Sequence, residues 1–167
     1  KYTNLNPNHR NSIHNMNIGF IRFERFGTIC DFGFGTILDL ELDFSFWKDF
    51  RDIAYGTKED VLLISEIFGD TSQWLQGDRF DGTMNYSFRE TMTDYFATKR
   101  INDKEFADSL ANLYSMYSFE ALSSCQNLLS SHDVKRFLNR SGNNEDSILG
   151  AIFLQTTFYK TRRALSV

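Results

Sequence analysis

The sequence predicts an α/β fold, a parallel sheet covered by helices. Three observations carry the prediction. Short apolar strands alternate with amphipathic helical stretches. Three of those strands end alike, in Asp39, in Glu66 and in His132-Asp133. The chain has 167 residues, 41% of them hydrophobic, which is one domain's worth and enough to bury a core.

Residues 1–17 are rich in Asn and His and read as loop or chain end, with His9 and His14 solvated. Ile18 to Phe26 spaces its apolar residues for a short helix ending at Gly27. The first strand is expected over 36–39. Phe46, Trp47, Phe50, Ile53 and Ala54 then share one helical face, and Gly56 stops that helix. Val61 to Ser65 is the second strand and Phe80 to Tyr86 a third. Ser87 and Glu90 have the spacing of a capping box, opening a helix with Phe88, Met92, Tyr95 and Phe96 as its stripe. Asn102 to Ser124 reads as one long helical stretch, 127–131 as the fourth strand, 141–144 as a loop and 148–158 as the last helix. The basic end, with Arg162 and Arg163, reads as a solvated tail.

Several function classes are disfavoured. A net charge of −4 without a basic cluster argues against nucleic acid as a partner. No apolar run approaches the roughly 20 residues that span a bilayer, so no membrane partner is expected. The start shows no secretory signal, which points to a cytoplasmic protein. Lys1 rather than Met at the first position points to a processed or partial product. Cys30 and Cys125 are too far apart for a metal-ligand spacing and read as buried thiols in a reducing compartment. No metal and no cofactor are expected.

In parallel α/β sheets the C-terminal ends of the strands lie on one face, which in barrels holds the active site. Carboxylates at three strand ends therefore converge on one cleft. Two carboxylates there suit glycoside hydrolysis, one as nucleophile or base and the other as proton donor, about 5–5.5 Å apart in retaining enzymes. Neighbouring anions help to keep the donor protonated. Trp74, Phe68 and Tyr86 are rings that would stack on sugars or pack a core. Spacing alone favours a surface strand-end charge for Glu66, and reads His132-Asp133 as an ordinary turn or as a helix cap from Asp133.

Longer stretches narrow the choice. SEIFGDTSQWLQGDRFDGTMNYSFRETMTDYFA (65–97) resembles the segment holding the proton donor in the alpha-amylase family of glycoside hydrolases. Its form is that of the neopullulanase, cyclomaltodextrinase and maltogenic amylase branch. QNLLSSHDVKRFL (126–138) resembles the family's segment with a substrate-binding His and a transition-state-stabilising Asp. ELDFSFWKDFR (41–51) resembles the run after the nucleophile strand, and LNPNHR (5–10) more weakly the segment before it.

The resemblance is strongest over 41–158. It implies that residues 1–167 are a partial catalytic (β/α)8 TIM barrel, about the fourth to seventh βα units. It implies Glu66 as general acid/base, Asp133 as stabiliser of the oxocarbenium-like state, His132 as a substrate-binding residue and Asp39 as the nucleophile candidate; Trp74 is a substrate-binding candidate only as a ring able to stack on sugar. The family pattern has an Arg two residues before the nucleophile, where this chain has Ile37, and the spacing from Asp39 to Glu41 is about two residues short. The implied substrate is an alpha-glucan oligosaccharide: a cyclodextrin, pullulan or a maltooligosaccharide. Expected besides are a truncated or frame-disturbed product and a homo-oligomer or complementing barrel fragment as partner. The alternative function is an inactive remnant serving as a structural or interaction piece.

Overall fold

The structure is a computed structural model that describes residues 28–29, 44–57 and 61–158. Four parallel strands form one sheet in sequence order: β1 (Thr28–Ile29), β2 (Leu62–Ser65), β3 (Gly82–Asn85) and β4 (Gln126–Asn127). Thr28 pairs with Leu62, Ile64 with Gly82 and Met84 with Gln126. Because neighbours are parallel, the chain must return across the sheet between strands: the helix over 44–57 lies between β1 and β2, a 3-10 turn (Ser72–Trp74) between β2 and β3, and helices within 86–124 between β3 and β4. The strand beside β2 is 28–29, just beyond the helix expected over 18–26. Segment 36–39, that expected helix, residues 1–17 with His9 and His14, Cys30 and the basic tail all lie outside the described residues.

Helix α1 (Phe44–Thr57) runs one residue past Gly56 and buries Phe46 and Phe50, four positions apart on one face. They join Leu63 of β2 in a first core cluster with Trp74, Phe80 and Leu122. Arg51 on the same helix reaches Asp81 at 2.8 Å. Asp81 also accepts from the Tyr55 hydroxyl and the Leu63 N–H, which ties α1 to the N-terminal ends of β2 and β3. Gly82, opening β3, has no room for a side chain: a Cβ there would lie 2.4 Å from the carbonyl oxygen of Ser124.

Helix α2 (Tyr86–Met92) starts directly off β3. Its cap is Asn85, whose side chain accepts from the Phe88 N–H at 3.1 Å. The expected Ser87-Glu90 box is therefore corrected: Ser87 already lies inside the helix, and its hydroxyl donates to the Gly69 carbonyl. Phe88 and Met92 are fully buried in a second core cluster with Leu129, Phe137 and Ala151. A five-residue π turn, Thr93–Ala97, extends the helix, and the Thr98 N–H donates to the Thr93 carbonyl. That turn stacks Tyr95 on Phe106 at 4.0 Å and lays Phe96 on Gly150, where a Cβ would meet the Phe96 ring at 2.5 Å.

The stretch 102–124 is two helices rather than one. Helix α3 (Asp103–Met116) opens with a capping box between Asn102 and Glu105. It ends at Tyr117, whose backbone is extended, and Ser118 caps α4 (Phe119–Ser124). A helical period does not register such a break, because the buried Tyr117 keeps the apolar pattern going while its hydroxyl is drawn to Thr71. Two more helices follow β4: α5 (Phe137–Arg140) and α6 (Glu145–Thr157), the second capped by Asn144 and starting three residues ahead of the expected 148. Gly142 and Asn143 take the left-handed conformation in the loop between them. No helix among the described residues is long and apolar enough to cross a membrane.

Candidate active site at the C-terminal strand ends

Three chain segments emerge side by side where β2, β3 and β4 end. Glu66 follows Ser65, the last residue of β2, and is half-buried. Tyr86 follows Asn85, the last residue of β3, and is 2% exposed. The loop from Leu128 carries Ser131, His132 and Asp133 beyond β4. Asn85 fixes this rim from within, since its side-chain amide donates to Asn127 of β4 at 2.9 Å.

The hydroxyl of Tyr86 sits between the two outer segments. It donates to Glu66 Oε1 at 3.0 Å and lies 3.2 Å from Ser131 Oγ. With the tyrosine proton committed to the carboxylate, the Ser131 hydroxyl donates to the phenol oxygen. Ser131 Oγ in turn accepts the Asp133 N–H at 3.3 Å. A chain of three hydrogen bonds thus runs from Glu66 to the backbone of Asp133. Burial pushes the Tyr86 phenol above its ordinary value; the Ser131 bond pulls it down, and the charges of Glu66 and Asp133 raise it further. Both carboxylates are felt at one hydroxyl, so both flank one place.

The side chains of His132 and Asp133 face solvent, at 78% and 46% exposure, with His132 Nε2 3.3 Å from Asp133 Oδ1. Phe68, two residues after Glu66, lies stacked on Tyr86 with ring centroids 4.0 Å apart and is 46% exposed. Its open face gives the rim an apolar surface beside the acid. The arrangement can hold a polar ring between an exposed aromatic and an imidazole, with two carboxylates to give, take or balance a proton.

Of the residues expected from sequence, Glu66, His132 and Asp133 are brought to this rim. Asp39 lies outside the described residues. Trp74 lies apart from the rim contacts described above: it is 4% exposed, on a 3-10 turn (Ser72–Trp74), with its ring edge-on to Phe44 at 4.8 Å in the first core cluster. Ser131 was not singled out by sequence, and Tyr86 was read as a ring rather than as a hydroxyl. Its partners lie 20 and 45 positions away, beyond any local pattern. No group of three or more metal-ligating side chains comes together among the described residues.

Comparison with known proteins agrees with this geometry. The family model for the alpha-amylase catalytic domain matches residues 36–162. Neopullulanase 2 of Thermoactinomyces vulgaris is 40% identical over 121 residues, which cover 72% of this chain and 21% of that protein. A cyclomaltodextrinase of Geobacillus thermopakistaniensis is 35% identical over 118 residues, 71% of this chain and 20% of that protein. Among solved structures, the ligand-free cyclic alpha-maltosyl-(1→6)-maltose hydrolase of Arthrobacter globiformis superposes with a TM-score of 0.67 at 30% identity, covering 71% of this chain and 27% of that one. The chain spans about a fifth of the length of the curated relatives it matches. Parallel strands in sequence order, packed by helices and ending in a shared acidic rim, are part of a (β/α)8 barrel, and the chain belongs to the alpha-amylase catalytic-domain family.

Proposed function

We propose that this chain carries the acid/base side of a retaining hydrolase of alpha-glucosidic bonds, acting on cyclodextrins, pullulan or maltooligosaccharides. The observation that carries the reading is the Tyr86 hydroxyl, which joins Glu66 to the loop of His132 and Asp133. Glu66 protonates the glycosidic oxygen as the bond to the anomeric carbon breaks. A carboxylate, Asp39 by resemblance, bonds to that carbon from the other face. Glu66 then takes a proton from water as the water displaces the carboxylate and releases the sugar. Asp133 stabilises the positive charge that develops on the ring, and His132 binds a sugar hydroxyl. Residues 1–167 supply about four of the barrel's βα units.

The test is sugar release from a cyclodextrin and from maltooligosaccharides by the purified chain beside its Glu66→Gln variant. The expected loss is about 10²–10⁴-fold, the usual worth of a general acid. A second reading, a non-catalytic remnant, is favoured by Ile37 standing where the family has Arg. Release by neither protein, from a chain that melts cooperatively in urea, would establish that reading instead.

A further inference from the structure

We propose that Arg89 and Tyr86, one turn apart on α2, are positioning residues that set the separation between Glu66 and Asp133. The proposal rests on the hydrolase reading for its catalytic part and stands on geometry for the rest. Arg89 is 7% exposed. Its Nε donates to the Leu129 carbonyl at 3.2 Å and its Nη2 to the Lys135 carbonyl at 2.9 Å. Those two carbonyls bracket the loop that carries Ser131, His132 and Asp133.

Burying a guanidinium is costly unless its donors are used. Here two donors of one rigid planar group are spent on the two ends of one loop. A lysine cannot reproduce that fork, since its ammonium is a single point of donation. The loop is pinned a third time by Ser130 Oγ, which accepts the Phe137 N–H at 3.0 Å. From the same helix, Tyr86 reaches Glu66 on one side and Ser131 on the other. Helix α2 is seated by buried Phe88 and Met92, so it moves as one piece with the core. It is the common ground to which both strand ends are tied.

The loop contains its own reporter. Lys135 and Arg136 are exposed tryptic sites inside it, and Arg100, also exposed, is a reference site elsewhere. In the full chain, Arg89→Lys is expected to raise cleavage after Lys135 or Arg136 about tenfold relative to cleavage after Arg100, because local opening governs proteolysis of a pinned loop. Tyr86→Phe and Ser131→Ala are expected to move the same ratio by less, and together no further than Ser131→Ala alone, since the bond by which Tyr86 holds the loop is one that Ser131→Ala also removes. In sugar release, Arg89→Lys is expected to lower kcat about tenfold or more with KM within about twofold, the mark of misplaced catalytic groups rather than lost binding.

Unchanged cleavage ratios in all three variants would overturn the proposal, and so would an equal rise at Arg100, which would mean general loosening. Should Arg89→Lys fail to melt cooperatively, the ratios of the other two decide. Should the wild-type chain release no sugar, the hydrolase reading fails, while the cleavage ratios still establish or overturn the clamp.

Discussion

The two halves of the candidate site are built differently. Glu66 is braced: half-buried, one residue past a strand, held by a tyrosine that is itself 2% exposed and covered by Phe68. His132 and Asp133 are presented: their side chains are 78% and 46% exposed on a loop, and their order comes from backbone bonds made by neighbours. Under the proposed function, bracing suits Glu66 as a proton donor, because burial and fixed partners set when such a group holds its proton, and access suits His132 and Asp133 as groups that meet the sugar. One helix, α2, serves both halves, which is why its sequence constrains a site in which it supplies no carboxylate.

The largest expected effect comes from breaking what the halves share. Phe88→Ala removes a fully buried ring that seats α2 in the second core, and about 3–5 kcal/mol of stability should be lost. The urea midpoint measures this; a loss below about 1 kcal/mol would mean that α2 is not seated through Phe88.

Asn85→Ala acts on the braced half. It removes the cap of α2 and leaves the buried Asn127 side chain without the donor it now has, at a cost of about 1–3 kcal/mol. Asn127 still donates to the Phe158 carbonyl, so the effect should fall below that of Phe88→Ala. Thermal melts of the two variants side by side rank them.

Alkali should act on Tyr86 of the braced half and on the first core cluster together. Burial holds the phenols of Tyr86, Tyr55 and Tyr117 above their ordinary value and pushes the Cys125 thiol from 9.0 up to about 11. Each of these groups is neutral when protonated and has a raised value in the fold. The unfolded chain therefore loses its protons first, and the contribution to stability is whole below the ordinary value and lost as pH rises through the raised one. For Cys125 that window runs from pH 9 to about 11. A urea midpoint that stays flat across it would contradict the burial of these groups.

The smallest effect sharpens the contrast. His132→Ala should leave stability within about 0.5 kcal/mol, since its side chain is 78% exposed and pairs with the adjacent, half-exposed Asp133. A larger change would place His132 among the braced groups.

Much of this was legible in the sequence, and the limits are physical. An apolar run marked β2, which reads Leu-Leu-Ile-Ser, whereas β3 (Gly82–Asn85) and β4 (Gln126–Asn127) are mostly polar and shorter than the strands expected over 80–86 and 127–131. The stripe through Phe46 and Phe50 marked α1 because helix period is local. Glu66 and His132-Asp133 were legible because they follow strands at the end where parallel sheets gather their chemistry. Caps were harder: both Asn85 and Ser87 are capping types, and only the abrupt passage from β3 into α2 selects Asn85. The break at Tyr117-Ser118 keeps the apolar rhythm of one helix and was invisible to it. Trp74 and Tyr86 both read as aromatic rings near the acid; which of them is walled in and which offers a hydroxyl depends on contacts far along the chain. Arg89 carried no local mark at all, since its two partners are main-chain carbonyls 40 and 46 positions away.

The π turn at 93–97 has a consequence for chain length. A π turn carries one residue more than the α-helix it interrupts. Deleting one residue there would let the backbone close its bonds in the ordinary α pattern, so the helix itself would absorb the loss. Everything beyond would swing by about 100°, one residue's rotation, and the Phe96 ring would leave Gly150. The glycine is needed only while that ring lies on it. Segment length at 93–97 and side-chain size at 150 are therefore one inherited character: a related chain that is one residue shorter in the first place is free of the glycine in the second.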